Sequence, residues 1–242
     1  MRSAPGRNVP VRPPSTDQAV WGPPLFVLNL KTYPAALGAG AERLAQMLED
    51  AGRAQGVAVA LSPAFPDLGR IASLRSIPVL AQHVDSVDAG AHTGFVPAEA
   101  IAAAGARGSL VNHSEHPLSG AEVRDAVRRL ANAGLVAVVC ARDVTTARRL
   151  ARTKPLYLAV EPPELIGGDR AVSTARPEVV SGTVEAVRAV APATHTLCGA
   201  GVHDHRDVRK ALELGAEGVL VASAVTRSDN PRAAIEELLS GF

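Results

Sequence analysis

Residues 135–164 read LVAVVCARDVTTARRLARTKPLYLAVEPPE. A continuously apolar run (LVAVVC, 135–140) leads into a longer amphipathic segment and then a second apolar run (LYLAV, 156–160) that stops at a carboxylate, Glu161. Runs this short and uniformly apolar suit strands covered on both faces, and the segment between them suits a covering helix. The alternation extends both ways. Upstream lie LFVLNL (25–30), VAVAL (57–61), IPVLA (77–81) and GSLVN (108–112); downstream lie HTLC (195–198) and EGVLVA (217–222). Helical stripes fall between them, with Val123, Val127, Leu130 and Val180, Val184, Val187 at i, i+4, i+7, and Ile235 with Leu238 marking a last helix. Pro177 fits a first helical turn, and Gly105, Gly134 and Gly215 fit helix stops.

Strictly repeated strand and helix implies a parallel sheet with right-handed crossovers. Eight such units close into a (β/α)8 barrel, an α/β fold in one domain. An open doubly wound sheet fits less well, because no G-x-G-x-x-G follows the first strand. The barrel is expected over 25–242. Residues 1–24, rich in Pro, Gly and polar residues, read as a flexible N-terminal extension that includes Trp21, the single tryptophan.

Composition narrows the function classes. With 25 basic and 24 acidic residues and a net charge of +1, the chain lacks the broad basic face of a nucleic-acid reader. No apolar stretch reaches the ~20 residues that cross a bilayer, so no membrane partner is expected. Two cysteines, Cys140 and Cys198, each end an apolar run and read as buried thiols of a cytoplasmic protein.

In such a barrel the site gathers at the C-terminal strand ends. Polar or small residues stand there: Asn29 and Lys31 after the first strand, Asn112-His113-Ser114-Glu115 after the fourth, and Glu161 after the sixth. Gly199-Ala200-Gly201 and Ala222-Ser223 follow the last two. Taken singly, Lys31 reads as a solvated loop lysine and His113 as a structural histidine more often than not. Together they offer an ammonium, an imidazole, a carboxylate and small-residue turns that let backbone N–H groups approach an anion. The pair His203 and His205 around Asp204 supplies two potential metal ligands without an evident third, and reads better as an exposed helix start.

Taken in order, NLK (29–31), AQHVDSVDAGAHTGFVPAEAI (81–101), NHSE (112–115), AVEPPELIG (159–167), VSTARPEVV (172–180), LCGAG (197–201) and VLVAS (219–223) resemble the triosephosphate isomerase family, specifically its archaeal-type branch. The likeness runs from about Leu25 to Phe242. It implies a TIM barrel interconverting glyceraldehyde 3-phosphate and dihydroxyacetone phosphate, with Glu161 as base, His113 as electrophile and Lys31 beside the substrate next to Asn29. It further implies that main-chain N–H groups of Ile166, Gly201, Ala222 and Ser223 hold the phosphate, that neither metal nor redox cofactor is needed, and that a lid over 166–174 closes on the substrate. The segment from Asp85 to Gly94, with Thr93, resembles a subunit-bridging loop and implies a homodimer or homotetramer. Departures are Asp169 and Arg170 at the lid tip, and His116-Pro117 after NHSE where basic residues would be expected to partner Glu115. Alternatives are an isomerase for a tetrose phosphate and a non-catalytic phosphate-binding paralogue.

Overall fold

The structure, a computed structural model, describes residues 21–165 and 171–242. Eight parallel strands alternate with helices. The strands are β1 (Leu25–Asn29), β2 (Ala58–Ser62), β3 (Leu80–Ala81), β4 (Gly108–Val111), β5 (Val136–Ala141), β6 (Tyr157–Val160), β7 (His195–Cys198) and β8 (Gly218–Val221). The helices are α1 (Ala39–Gln55), α2 (Phe65–Leu74), α3 (Ala98–Ala103), α4 (Gly120–Asn132), α5 (Val144–Ala151), α6 (Val172–Ala175), α7 (Pro177–Val190), α8 (His205–Glu213), α9 (Ser223–Thr226) and α10 (Pro231–Leu239). Strand order runs β2-β1-β8-β7-β6-β5-β4-β3, and one parallel bridge from Leu61 to Val79 joins the two ends into a ring. Each apolar run read from the sequence holds a strand of this barrel. The third is shortened to two residues, because Pro78 has no N–H to give the ladder; its carbonyl accepts from Leu61 N instead.

The strands pack two cores through their period of two. Leu25, Val27, Leu110, Val138, Tyr157, Ala159, Leu197 and Leu220 fill the barrel interior. Phe26, Leu28, Val139, Leu158, Cys198, Val219 and Val221 face the helices, meeting Leu48, Val123, Leu130, Val180, Val187 and Ile235. Helix boundaries have local causes. Gly105, Gly134 and Gly215 sit at φ of 87°, 72° and 90°, the left-handed region that ends a helix without a Cβ clash. Pro177 opens α7, and α4 starts on a capping box in which Ser119 and Glu122 satisfy each other's backbone N–H.

One boundary differs from the sequence reading. Trp21, assigned there to a flexible extension, is buried among the interior residues at the N-terminal mouth of the barrel. Its ring lies 6.4 Å from that of Tyr157, whose hydroxyl donates to the Trp21 carbonyl. The packed chain therefore includes Trp21; of the rest of the expected extension, residues 22–24 are described and 1–20 lie outside the described residues. A proline-rich context masked an anchor that only the barrel mouth makes apparent. Removing it by Trp21→Ala should cost about 3–5 kcal/mol in urea unfolding, as large aromatic truncations in cores do. Fluorescence of this single tryptophan should lie well to the blue in the native protein and shift red on unfolding; native emission already at the water-exposed position would contradict the packing.

Candidate active site

The inward register of the strands continues past their C-terminal ends. Leu25 and Val27 face inward and are followed in phase by Asn29; Tyr157 and Ala159 by Glu161; Leu197 by Gly199; Leu220 by Ala222. Period two thus aims side chains from three strands, and the bare backbone of Gly199 from a fourth, at one point above the interior core. A pocket there is lined by Asn29, Lys31, His113, Glu161, Gly199, Gly201, Ala222 and Ser223. Seven residues singled out from the sequence therefore meet: Asn29, Lys31, His113, Glu161, Gly201, Ala222 and Ser223. The eighth, Ile166, and the expected lid tip with Gly167, Gly168, Asp169 and Arg170 lie outside the described residues.

Glu161 is 3% exposed, and its Oε2 has no hydrogen-bond partner among the described residues. Burial lifts its carboxyl above the ordinary value, opposed by the His113 ring, a hydrogen bond with the Cys140 thiol and the Lys31 ammonium. The same contact works on Cys140, whose thiol is raised well above its usual range by burial and then by the nearby carboxylate. His113 Nε2 stands 3.8 Å from Glu161 Oε2. On the other side of the ring, the Glu115 backbone N–H donates to His113 Nδ1 at 3.2 Å. That bond needs a lone pair on Nδ1, so the proton of the neutral ring sits on Nε2 and faces the pocket.

Lys31 adopts φ of 51°, a left-handed backbone that a lysine takes only when its surroundings hold it. The holding groups are present. Asn29 Oδ1 accepts from Lys31 N at 2.9 Å, and Gln82 Nε2 donates to the Lys31 carbonyl at 3.0 Å while also approaching Asn29 Oδ1 and the Ser62 carbonyl. The Lys31 ammonium reaches Glu115 Oε1 at 2.7 Å. Glu115, expected to lack a basic partner, thus has one from across the barrel. His116, in the place where basic residues were expected, stacks on His83 with ring centroids 3.8 Å apart and planes 7° apart.

The family model described as triosephosphate isomerase matches residues 24–238. Triosephosphate isomerase of Methanothermus fervidus is 45% identical over 217 residues, covering 90% of this chain and 98% of that protein. The enzyme of that name from Methanocaldococcus jannaschii is 43% identical over 215 residues, covering 89% and 98%. This chain belongs to the triosephosphate isomerase family. The solved triosephosphate isomerase of Bartonella henselae superposes with a TM-score of 0.71, covering 90% of this chain and 96% of its own, at 18% identity; it supports the barrel fold.

Two members of the site escaped the sequence reading as functional partners. Gly199 was read as part of a small-residue turn, yet a Cβ there would lie 2.5 Å from Glu161 Cγ and 2.9 Å from its Oε1, so the glycine makes room for the carboxylate. Gln82 lies inside the 81–101 string without a mark of its own, and its role depends on the β1 and β3 ends meeting in space. No signal within either local sequence carries these pairings. The two-histidine stretch around Asp204 holds no metal cluster among the described residues. Instead, the Asp204 carboxylate caps α8 by accepting from Arg206 N and Asp207 N. A separate cavity of about 760 Å³, lined by Trp21, Lys154, Leu156 and His195, lies at the opposite mouth, remote from Glu161.

The Glu161 environment has a consequence for stability. A carboxyl whose proton affinity is higher folded than unfolded lets the folded state hold more protons between the two values. Stability therefore falls as pH rises from about 4.5 through that window, and the penalty persists above it. Glu161→Gln, which carries no charge, should be more stable than the native protein near neutral pH, with the advantage shrinking toward about pH 4. Urea midpoints across this range test it; a variant less stable at neutral pH would contradict the assignment.

Proposed function

We infer that the protein is an intramolecular isomerase that interconverts glyceraldehyde 3-phosphate and dihydroxyacetone phosphate, the activity named for its family relatives. The observation that supports assigning the chemistry to this pocket is the buried Glu161, whose Oε2, unpaired among the described residues, faces the Nε2–H of His113.

In this reading Glu161 removes a proton from the hydroxyl-bearing carbon beside the substrate carbonyl. The C–H electron pair becomes the carbon–carbon double bond of an enediolate, and the carbonyl oxygen takes the negative charge. His113 Nε2–H donates to the oxygens that carry this charge, and the Lys31 ammonium stabilises them further. The hydroxyl proton passes from one enediolate oxygen to the other by way of His113 Nε2, and return of the carbon-bound proton from Glu161 to the neighbouring carbon completes the exchange of aldehyde and ketone, with no net change of oxidation state. Burial serves this sequence twice. It raises the proton affinity of the base, and it strengthens the field of His113 and Lys31 at the reacting oxygens.

The phosphate end is assigned to main-chain N–H groups of Gly201, Ala222 and Ser223, with Ile166 as a further contributor. Gly201 at φ of 66° and Ser223 at the start of α9 place small residues at the pocket edge, where an anion can approach backbone donors. The identity with triosephosphate isomerases across almost their full length favours a three-carbon over a four-carbon phosphate.

Further readings rest on the sequence. A homodimer or homotetramer formed through residues 85–94, including Thr93, suits a segment closed at its base by Asp85, which exchanges backbone and side-chain bonds with Val96. A reducing compartment, the cytoplasm, suits two buried free cysteines, and no described helix is long and apolar enough to cross a membrane. The decisive experiment is a coupled assay in both directions on the native protein and on Glu161→Gln. Rapid native turnover and a loss of about a thousandfold or more in the variant are expected. A folded native protein without turnover would overturn the activity, and a variant as fast as native would overturn Glu161 as base.

A further inference from the structure

The turn after β7 that carries Gly201 is held from three sides. Gly199 N donates to the Val160 carbonyl on β6, the Ala200 carbonyl accepts from Val172 N at the start of α6, and His203 N donates to Asp207 Oδ2 at 3.0 Å. Asp207 stands in the first turn of α8, and its other carboxylate oxygen accepts from the Thr174 hydroxyl at 3.3 Å. Its carbonyl also accepts from the buried Ser173 hydroxyl at 3.2 Å. One residue thus joins three pieces of chain: the turn 199–203, helix α6 and the start of α8.

We propose that Asp207 is a positioning residue for the substrate phosphate, fixing the turn that places Gly201 at the pocket. The proposal rests on the reading of Gly201 as a phosphate donor. An acid in the first turn of a helix ordinarily stabilises the helix through its dipole and the free N–H groups. Asp204 already meets that need, since it accepts from Arg206 N and Asp207 N. The Asp207 carboxylate instead turns outward and spends both oxygens on neighbours, one on the phosphate-side turn and one on α6. Without it, His203 N and the Thr174 hydroxyl lose their shared acceptor. The turn then keeps its bonds on Gly199 and Ala200 but loses the one that ties it to the start of α8. A backbone donor displaced by a few tenths of an ångström loses much of its bond to an anion. The reacting carbons, bound by Glu161, His113 and Lys31 from other strands, would be less affected.

The test compares native protein, Asp207→Ala, Asp207→Asn and Thr174→Val by steady-state kinetics, with inorganic phosphate as a competitive inhibitor. The expected result for Asp207→Ala is a KM for glyceraldehyde 3-phosphate and an inhibition constant for phosphate that both rise roughly tenfold, with the loss falling on KM rather than on kcat. Asp207→Asn, keeping one acceptor oxygen, should fall between native and Asp207→Ala. Thr174→Val should show a smaller shift of the same kind. A purely helix-capping role would lower the melting temperature while leaving inhibition by phosphate unchanged, and that result overturns the proposal. So does a fall in kcat with KM unaltered. If Asp207→Ala does not fold, Asp207→Asn and Thr174→Val decide by the same criterion. A native protein not inhibited by phosphate would instead overturn the phosphate reading of Gly201.

Discussion

A carboxylate held out of water, with one oxygen unpaired among the described residues, is the constraint around which the site is arranged. Glu161 continues the inward register of β6, so the same alternation that buries Tyr157 and Ala159 in the barrel interior buries the acid above them. Gly199 on the next strand gives it room, since any side chain there would meet its Cγ. The His113 ring and a weak donor, the Cys140 thiol of the preceding strand, oppose the desolvation, and the carboxyl still stays above its ordinary value. Burial without full satisfaction is costly to the fold and useful to proton transfer.

Around that carboxylate the supporting groups are positioned by backbone features of other strands. The His113 ring is oriented by the Glu115 amide, which fixes where its proton sits. Lys31 reaches the pocket from its own left-handed backbone, which Asn29 and Gln82 hold in place. Glu115 then closes a circuit by accepting from Lys31, tying the ends of β1 and β4 together across the mouth. Because Glu115 is more than half exposed, this pair adds little to global stability, and its weight falls on orientation. Stable bonding is concentrated in the strands below, and the site uses their rigidity.

Much of this was legible in the sequence because the barrel is periodic. Continuously apolar runs marked the strands, and polar residues immediately after them marked the strand ends, so Asn29, Lys31, His113 and Glu161 could be picked out one by one. What escaped depended on register between strands. Gly199 looks like any turn glycine until β6 and β7 pair Val160 with Cys198 and bring Glu161 against it. Gln82 follows the shortest strand, where Pro78 interrupts the ladder, and nothing local announces that its amide serves β1. Trp21 escapes for the opposite reason: its neighbours carry no pattern, and Tyr157, the ring it packs against, lies more than a hundred positions away.

The central claim is that burial raises the proton affinity of Glu161 and so prepares it as a base. Carbon-13 NMR of glutamate carboxyls, with Glu161 assigned by its absence from the Glu161→Gln spectrum, reads this directly in the free protein. The account predicts a resonance that titrates above the ordinary carboxylate value of 4.5. A carboxyl that titrates at or below that value would contradict it.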